Sequence, residues 1–263
     1  MWESFLAFIE NSGMQWDQWI IAYLILLVPV IISMGMKLEL HGELVKVSLR
    51  AVVQLLFIAL LLLPIFAGHW SLKLLIILVM ILMGARVSWE RGREIPGAFV
   101  TSLLAMSMST VSIIGVFLLS GGLENQANIA IPIFGMLVGN ASRSIALLFS
   151  RTLSDFSSQQ EMVEALMLDG MDFRSAMRIP MQMSMKTALV PRIDSLKTLG
   201  IVHIPGAMAG MMVAGASPLE AAGYQILIFF GIIASSAIAT IITNYRSYRL
   251  LFLSTYPHLH WKQ

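Results

Sequence analysis

The sequence predicts an all-α polytopic membrane protein, a bundle of about seven crossing helices, and three observations carry that prediction. Hydrophobic residues make up 57% of the chain and charged residues only 12%, about half the charged share of a soluble domain. Apolar runs recur along the whole length, each near the roughly 20 residues that cross a hydrocarbon core. The basic residues fall between alternate runs, the bias of loops on the inner side of a membrane.

The same composition narrows function. Several crossings in 263 residues leave no room for a catalytic domain in water, so an enzyme is not expected. With no Cys, disulfides and thiolate metal sites are excluded. The basic residues behind the net charge of +2 are dispersed, which argues against nucleic-acid binding. No G-x-x-x-x-G-K-[ST] run is present, so any ATP must be handled by another polypeptide.

In chain order, residues 1–17 carry Glu3, Glu10 and Asp17 but no Lys or Arg, unlike a signal peptide. Trp2, Phe5, Leu6 and Ile9 suit an interfacial amphipathic segment, and Trp16 and Trp19 an aromatic belt at the first crossing. Crossings are expected at roughly 19–36, 44–66, 72–89, 97–119, 130–149, 199–216 and 221–243. The sixth is interrupted by Pro205 and four glycines. With the amino terminus outside and the carboxyl terminus cytoplasmic, every Lys and Arg from Lys37 to Lys262 except Lys73 falls on the inner side. The outer loop around Glu124 has no basic residue.

The stretch from Ser157 to Gly215 interrupts this pattern and is the longest segment able to face water. Residues 150–198 are expected in the cytoplasm. Ser158 and Glu161 have capping-box spacing, so a helix is expected to start near Ser158. Asp169 and Gly170 interrupt it, with Gly suited to the left-handed position past a helix end, and Asp172 can cap a second helix from Phe173.

Several polar residues sit inside apolar runs. Arg50 and Gln54 share a face of the second crossing, and Asn140 and Arg143 a face of the fifth. Such groups tend to face a bundle interior or a water-filled path, although Arg50 and Arg143 can instead snorkel to the interface. His203 and Gln225 are further path candidates, and Ser107, Ser109, Thr110 and Ser112 suit packing between helices better than a path. Gly135 with Gly139 and Gly206 with Gly210 have the spacing of close helix contacts. Pro205 and Gly206 are hinge candidates. Clusters such as Met181, Met183 and Met185 suit packing better than soft-metal binding. No His or carboxylate cluster has metal-ligand spacing, and the metal ligands are unknown.

Two resemblances join these features. Glu164, Ala165, Leu166 and Gly170, followed by Ile179 and Pro180, resemble the Glu-Ala-Ala loop of ATP-binding-cassette (ABC) permeases, which docks on the ATPase subunit. Here the Gly-to-Ile spacing is one residue short, and Leu166 replaces the second Ala. From Leu189 the chain reads L-V-P-R-I-D-S-L-K-T-L-G, then P-G-A-M-A-G and G-A-S-P-L-E-A-A-G-Y-Q. With the run Arg50 to Gln54 and the run Gly135 to Asn140, these blocks resemble the bacterial iron-export permease family of the FetB type, whose plant relatives are linked to aluminium tolerance. The resemblance covers the second to the seventh crossing. Asp169 and Met171 depart from the family pattern beside Gly170.

The resemblance implies the membrane subunit of an ABC exporter in the inner membrane, with iron as substrate. A cytoplasmic ATPase would hold ATP and Mg, this chain would bind no cofactor, and two permease copies would pair within the lipid. Glu161, Glu164, Leu166, Gly170, Asp172 and Arg174 would then form the coupling surface, with Arg174 and Arg178 facing acidic groups of the partner or simply water. The alternatives are export of a nucleotide sugar or other organic solute, an ATPase-independent secondary transporter, and a non-transporting scaffold or sensor.

Overall fold

A computed structural model describes residues 16–67, 70–121 and 127–255. The expected interfacial segment near the amino terminus, the loop around Glu124 and the tail at Lys262 lie outside the described residues. Among those residues the chain is helical, with one isolated bridge between Leu199 and His203.

Two compact units divide the chain at Ala67. The first contains α1 (Trp16–Gly35) and α2 (His41–Ala67). Lys37 and Glu39 take left-handed backbone between them, and the buried Ser33 hydroxyl accepts from the Leu40 amide at 3.1 Å. Most side chains of α2 are exposed, apolar ones such as Leu55 and Phe57 included, as suits a helix surrounded by lipid or other helices.

The second unit contains α3 (Trp70–Trp89), α4 (Ala98–Leu119), α5 (Ala127–Ser158), α6 (Gln160–Leu168), α7 (Phe173–Ala176), α8 (Arg178–Thr198), α9 (Gly206–Val213) and α10 (Pro218–Thr255). At its centre α5 and α10 pack on each other and on α4 and α8. Ile81, Met106, Val138, Ile145 and Phe149 belong to one core cluster, and Ile113, Phe117, Leu137 and Ile228 to a second.

Among the described residues, five helical stretches are long and apolar enough to cross a membrane: 41–66, 71–89, 98–119, 130–158 and 218–255. The apolar part of α1, Tyr23–Gly35, is shorter. Over 199–216, the place of the expected sixth crossing, the chain instead forms a turn and the eight-residue α9. That helix rises about 12 Å, less than half of a roughly 30 Å hydrocarbon core. Left-handed Gly200 and Gly215 and the extended Pro205 bound it.

Two helices outrun the expected crossings. α5 continues nine residues past 149, and α10 continues to Thr255 rather than ending near 243. Each extension keeps one buried face, with Thr152 on α5 and Tyr248, Leu251 and Phe252 on α10. Charge on the opposite face ends an apolar run without ending a helix.

Close helix approach falls on glycines other than those expected. A Cβ at Gly84 would lie 2.9 Å from Val138, and one at Gly231 would lie 2.5 Å from the Phe117 ring. Gly139, Gly206 and Gly210 have open space around that position, and Gly135 meets only the Met80 side chain at 3.6 Å. Ser109 and Thr110 are buried, and the Ser235 hydroxyl lies 3.4 Å from that of Ser109, the packing role expected of small polar residues between membrane helices.

Candidate functional site

The residues between α5 and α8 form a helix-turn-helix seated on the end of α10. The expected capping box is absent: Ser158 is the last residue of α5, and its hydroxyl donates to the Asp155 carbonyl at 3.3 Å. Gln159 is the N-cap of α6 but makes no side-chain capping bond; its side-chain amide donates to Met183 Sδ at 3.3 Å instead. Because α5 runs on to Ser158, that hydroxyl serves the end of one helix and cannot open the next.

The turn after α6 follows the sequence expectation. Gly170 has φ of +90°, its amide donates to the Met167 carbonyl, and the Met171 amide donates to that of Leu166, which satisfies the last carbonyls of the helix. Asp172 then caps α7, accepting from the Arg174 amide at 3.1 Å. The Ser175 hydroxyl and nearby amides hold the Asp172 carboxyl below its usual pKa.

An apolar clamp fixes this unit to the bundle. Val163 of α6, Phe173 and Ala176 of α7, Met177, and Tyr248 and Phe252 of α10 form one buried cluster. The Phe173 and Phe252 rings lie 4.9 Å apart between centroids. Arg174, expected to face the partner or water, donates to the Tyr245 hydroxyl at 3.1 Å and lies over that ring at 5.5 Å. Glu164 is half-buried and accepts from the Gln160 side-chain amide at 3.0 Å. Glu161 and Leu168 remain exposed, Leu168 at 89%, while Leu166 is half-buried.

Beneath the clamp lies a polar link that no sequence pattern announces. Ser184 of α8 donates to the Asp155 carboxylate of α5 at 2.7 Å, and the Tyr248 hydroxyl of α10 lies 2.7 Å from the same Ser184 oxygen. Since Ser184 has one proton and gives it to Asp155, Tyr248 donates to Ser184. Asn244 adds a bond from its side-chain amide to the Met181 carbonyl at 2.9 Å. Asp155 and Tyr248 stand 29 and 64 positions from Ser184 along the chain, so no local pattern identifies them.

The larger departure concerns α8. Its charges place it with the water-facing segment 150–198, yet it runs back along α5. Ser184 meets Asp155 near the end of α5, while Arg192 reaches Asn140 and Ser144. Asn140 lies 18 residues before Ser158, about 27 Å along the helix axis. Arg192, half-buried, donates through Nη1 to Asn140 Oδ1 at 2.5 Å and through Nε to the buried Ser144 hydroxyl at 3.3 Å. The exposed Arg143 is close enough for its charge to interact with that of Arg192. Among the described residues, no ion pair involves either guanidinium.

Within the second unit, His203 and Gln225 do not join this pair. Arg50 and Gln54 are exposed on α2 of the first unit. His203 is exposed in the turn before α9, where its carbonyl accepts from the Gly200 amide at 3.0 Å. Gln225 is buried on α10, and its Oε1 has no hydrogen-bond partner within the described residues. Pro205 is the N-cap of α9, and Gly206 opens that helix. Among the described residues, no three His, Asp or Glu side chains gather as a metal site. Met181 instead packs against the apolar clamp.

Sequence comparison extends this picture to other proteins. The model of the "Uncharacterised protein family (UPF0014)" matches residues 16–252. The chain is 32% identical over 235 residues to the "Probable iron export permease protein FetB" of Escherichia coli (strain K12), covering 89% of this chain and 91% of that protein. It is 30% identical over 237 residues to "Protein ALUMINUM SENSITIVE 3" of Arabidopsis thaliana, covering 89% and 86%. It is also 32% identical over 228 residues to the "UPF0014 membrane protein YjkA" of Bacillus subtilis (strain 168), covering 86% and 91%. No solved structure matches the chain. The family match across both units and these relatives agree with the membrane-helix bundle, and the chain belongs to the UPF0014 family.

Proposed function

We propose that this chain is the membrane-spanning permease subunit of an ABC exporter, driven by a separate cytoplasmic ATPase that holds ATP and Mg, with iron as the exported substrate. The carrying observation is the α6–α7 unit. Leu168 and Glu161 are exposed on one side of it, while Val163, Phe173 and Met177 are clamped to α10 on the other. Movement imposed on α6 by a partner passes through this clamp and the Tyr248–Ser184–Asp155 link to α10, α8 and α5. Two permease copies with two ATPases would form one pathway, with amino termini outside and carboxyl termini in the cytoplasm. Similarity to the Escherichia coli protein supports the class and the substrate.

The test is ATPase activity and transport by this chain reconstituted with its candidate ATPase, with and without ferrous iron on the cytoplasmic side. Iron-stimulated hydrolysis, uncoupled from transport in a Glu164→Ala/Gly170→Ala double variant, is expected. Unchanged coupled transport in that variant would sink the assignment.

One observation favours a second reading of the substrate. The Arg192 charge at Asn140 lies within electrostatic reach of Arg143, and among the described residues neither guanidinium has an ion pair. Two guanidinium groups within reach of each other's charge repel a bare cation and suit an anion. An organic anion, such as a nucleotide sugar or an anionic iron chelate, fits this environment better. Hydrolysis stimulated by such an anion and indifferent to ferrous iron would keep the permease assignment and change its substrate.

A further inference from the structure

A groove of about 640 Å³ opens between the end of α3 and the start of α4, within the roughly 300–1,000 Å³ of small-molecule sites. Arg86 and Arg93 line its rim, and both are exposed. Arg93 lies over the Trp89 ring at 5.3 Å, and neither arginine has an ion pair among the described residues. Glu90 and Glu94, in the same turn, do not line the groove. Its wall is apolar, with Met83, Phe99 and Val100 exposed at 58%, 36% and 50%.

The groove lies at the basic end of the bundle. The α3–α4 turn packs there against Phe149 of α5 and Leu250 of α10 through Gly92 and Gly97. Arg151, Arg246 and Arg249 occupy the same ends of α5 and α10. A basic end marks the cytoplasmic leaflet, where anionic lipid headgroups are met.

The geometry points to a binding site for an anionic phospholipid, its phosphodiester between Arg86 and Arg93 and its acyl chains along Met83, Phe99 and Val100. Two cations beside an apolar wall match a lipid's charged head and hydrocarbon tail. A free anion would leave the wall uncovered. A second copy presenting this same end would bring basic residues against basic residues. Bidentate guanidinium contacts suit a phosphate oxygen pair, and Trp89 is a residue type favoured at the headgroup level.

The test uses the full purified chain in detergent and in phosphatidylcholine nanodiscs with or without phosphatidylglycerol, reading retained lipid by native mass spectrometry. Each arginine near a membrane surface contributes about fivefold to anionic-lipid preference. An Arg86→Gln/Arg93→Gln variant should therefore lose roughly 25-fold of the preference for phosphatidylglycerol, while Lys186→Gln keeps it. Should the double variant fail to fold, Met83→Glu, at an exposed position, should also abolish retention by placing a carboxylate in the groove.

Unchanged preference in a folded double variant, or in Met83→Glu, would overturn the site. So would displacement of the lipid by millimolar inorganic phosphate, which would mark a free-anion site. Cross-linking of two copies through Val100→Cys in phosphatidylglycerol bilayers would show an interface between copies instead.

Discussion

Arg192 of α8 donates to the side-chain oxygen of Asn140 in α5, joining a charged segment that follows the helix-turn-helix to the middle of a membrane-length helix. Asn140 in turn donates to the Met136 carbonyl at 2.8 Å, so its amide is anchored and its oxygen is turned toward the guanidinium. This makes α8 a connection between the end of the bundle and its interior.

Asn140→Ala removes the acceptor and leaves a half-buried charge under-bonded. We expect about 1–3 kcal/mol of destabilisation, read as a lower thermal midpoint in detergent. Asn140→Asp should move substrate preference toward cations, because a carboxylate would neutralise Arg192. Competition between ferrous iron and an anionic chelate in the reconstituted transporter checks this.

Tyr248→Phe removes one hydroxyl from the Tyr248–Ser184–Asp155 chain and should cost about 1 kcal/mol. Ser184→Ala should cost more, since it strands both the Tyr248 hydroxyl and the Asp155 carboxylate. The double variant should be less damaging than the sum of the two, as expected for residues sharing one network. Chemical denaturation of the three variants provides the comparison.

Gly84→Ala should destabilise the bundle by about 1–3 kcal/mol, because its Cβ would meet Val138 at 2.9 Å. Gly139→Ala, with nothing within 4 Å of the added atom, should fold normally. Equal losses in thermal unfolding would refute the packing between α3 and α5.

Leu168→Ser changes an exposed side chain at the end of α6 and should leave the thermal midpoint unchanged. Under the proposed function it should weaken co-purification with the ATPase and reduce substrate-stimulated hydrolysis. Normal complex formation and hydrolysis would place the partner surface elsewhere.

The membrane class, most of the long apolar helices, the Gly170 turn and the Asp172 cap were legible because each depends on local composition or short spacing. The apolar runs over 72–89 and 97–119 correspond to α3 and α4, and Gly170 takes the left-handed φ its position requires. The capping-box expectation failed because the Ser158–Glu161 spacing does not reveal that α5 is still running at Ser158.

Hydropathy and turn chemistry act over a few residues, so the order of amino acids was enough to establish that this chain enters a membrane and carries a helix-turn-helix between apolar segments. Packing in three dimensions settled that 199–216 breaks into a turn and a short helix, that α8 lies along α5, and that Arg192 meets Asn140. Those outcomes depend on which faces meet between residues as many as 64 positions apart, as at Ser184 and Tyr248, and no local pattern encodes such a meeting.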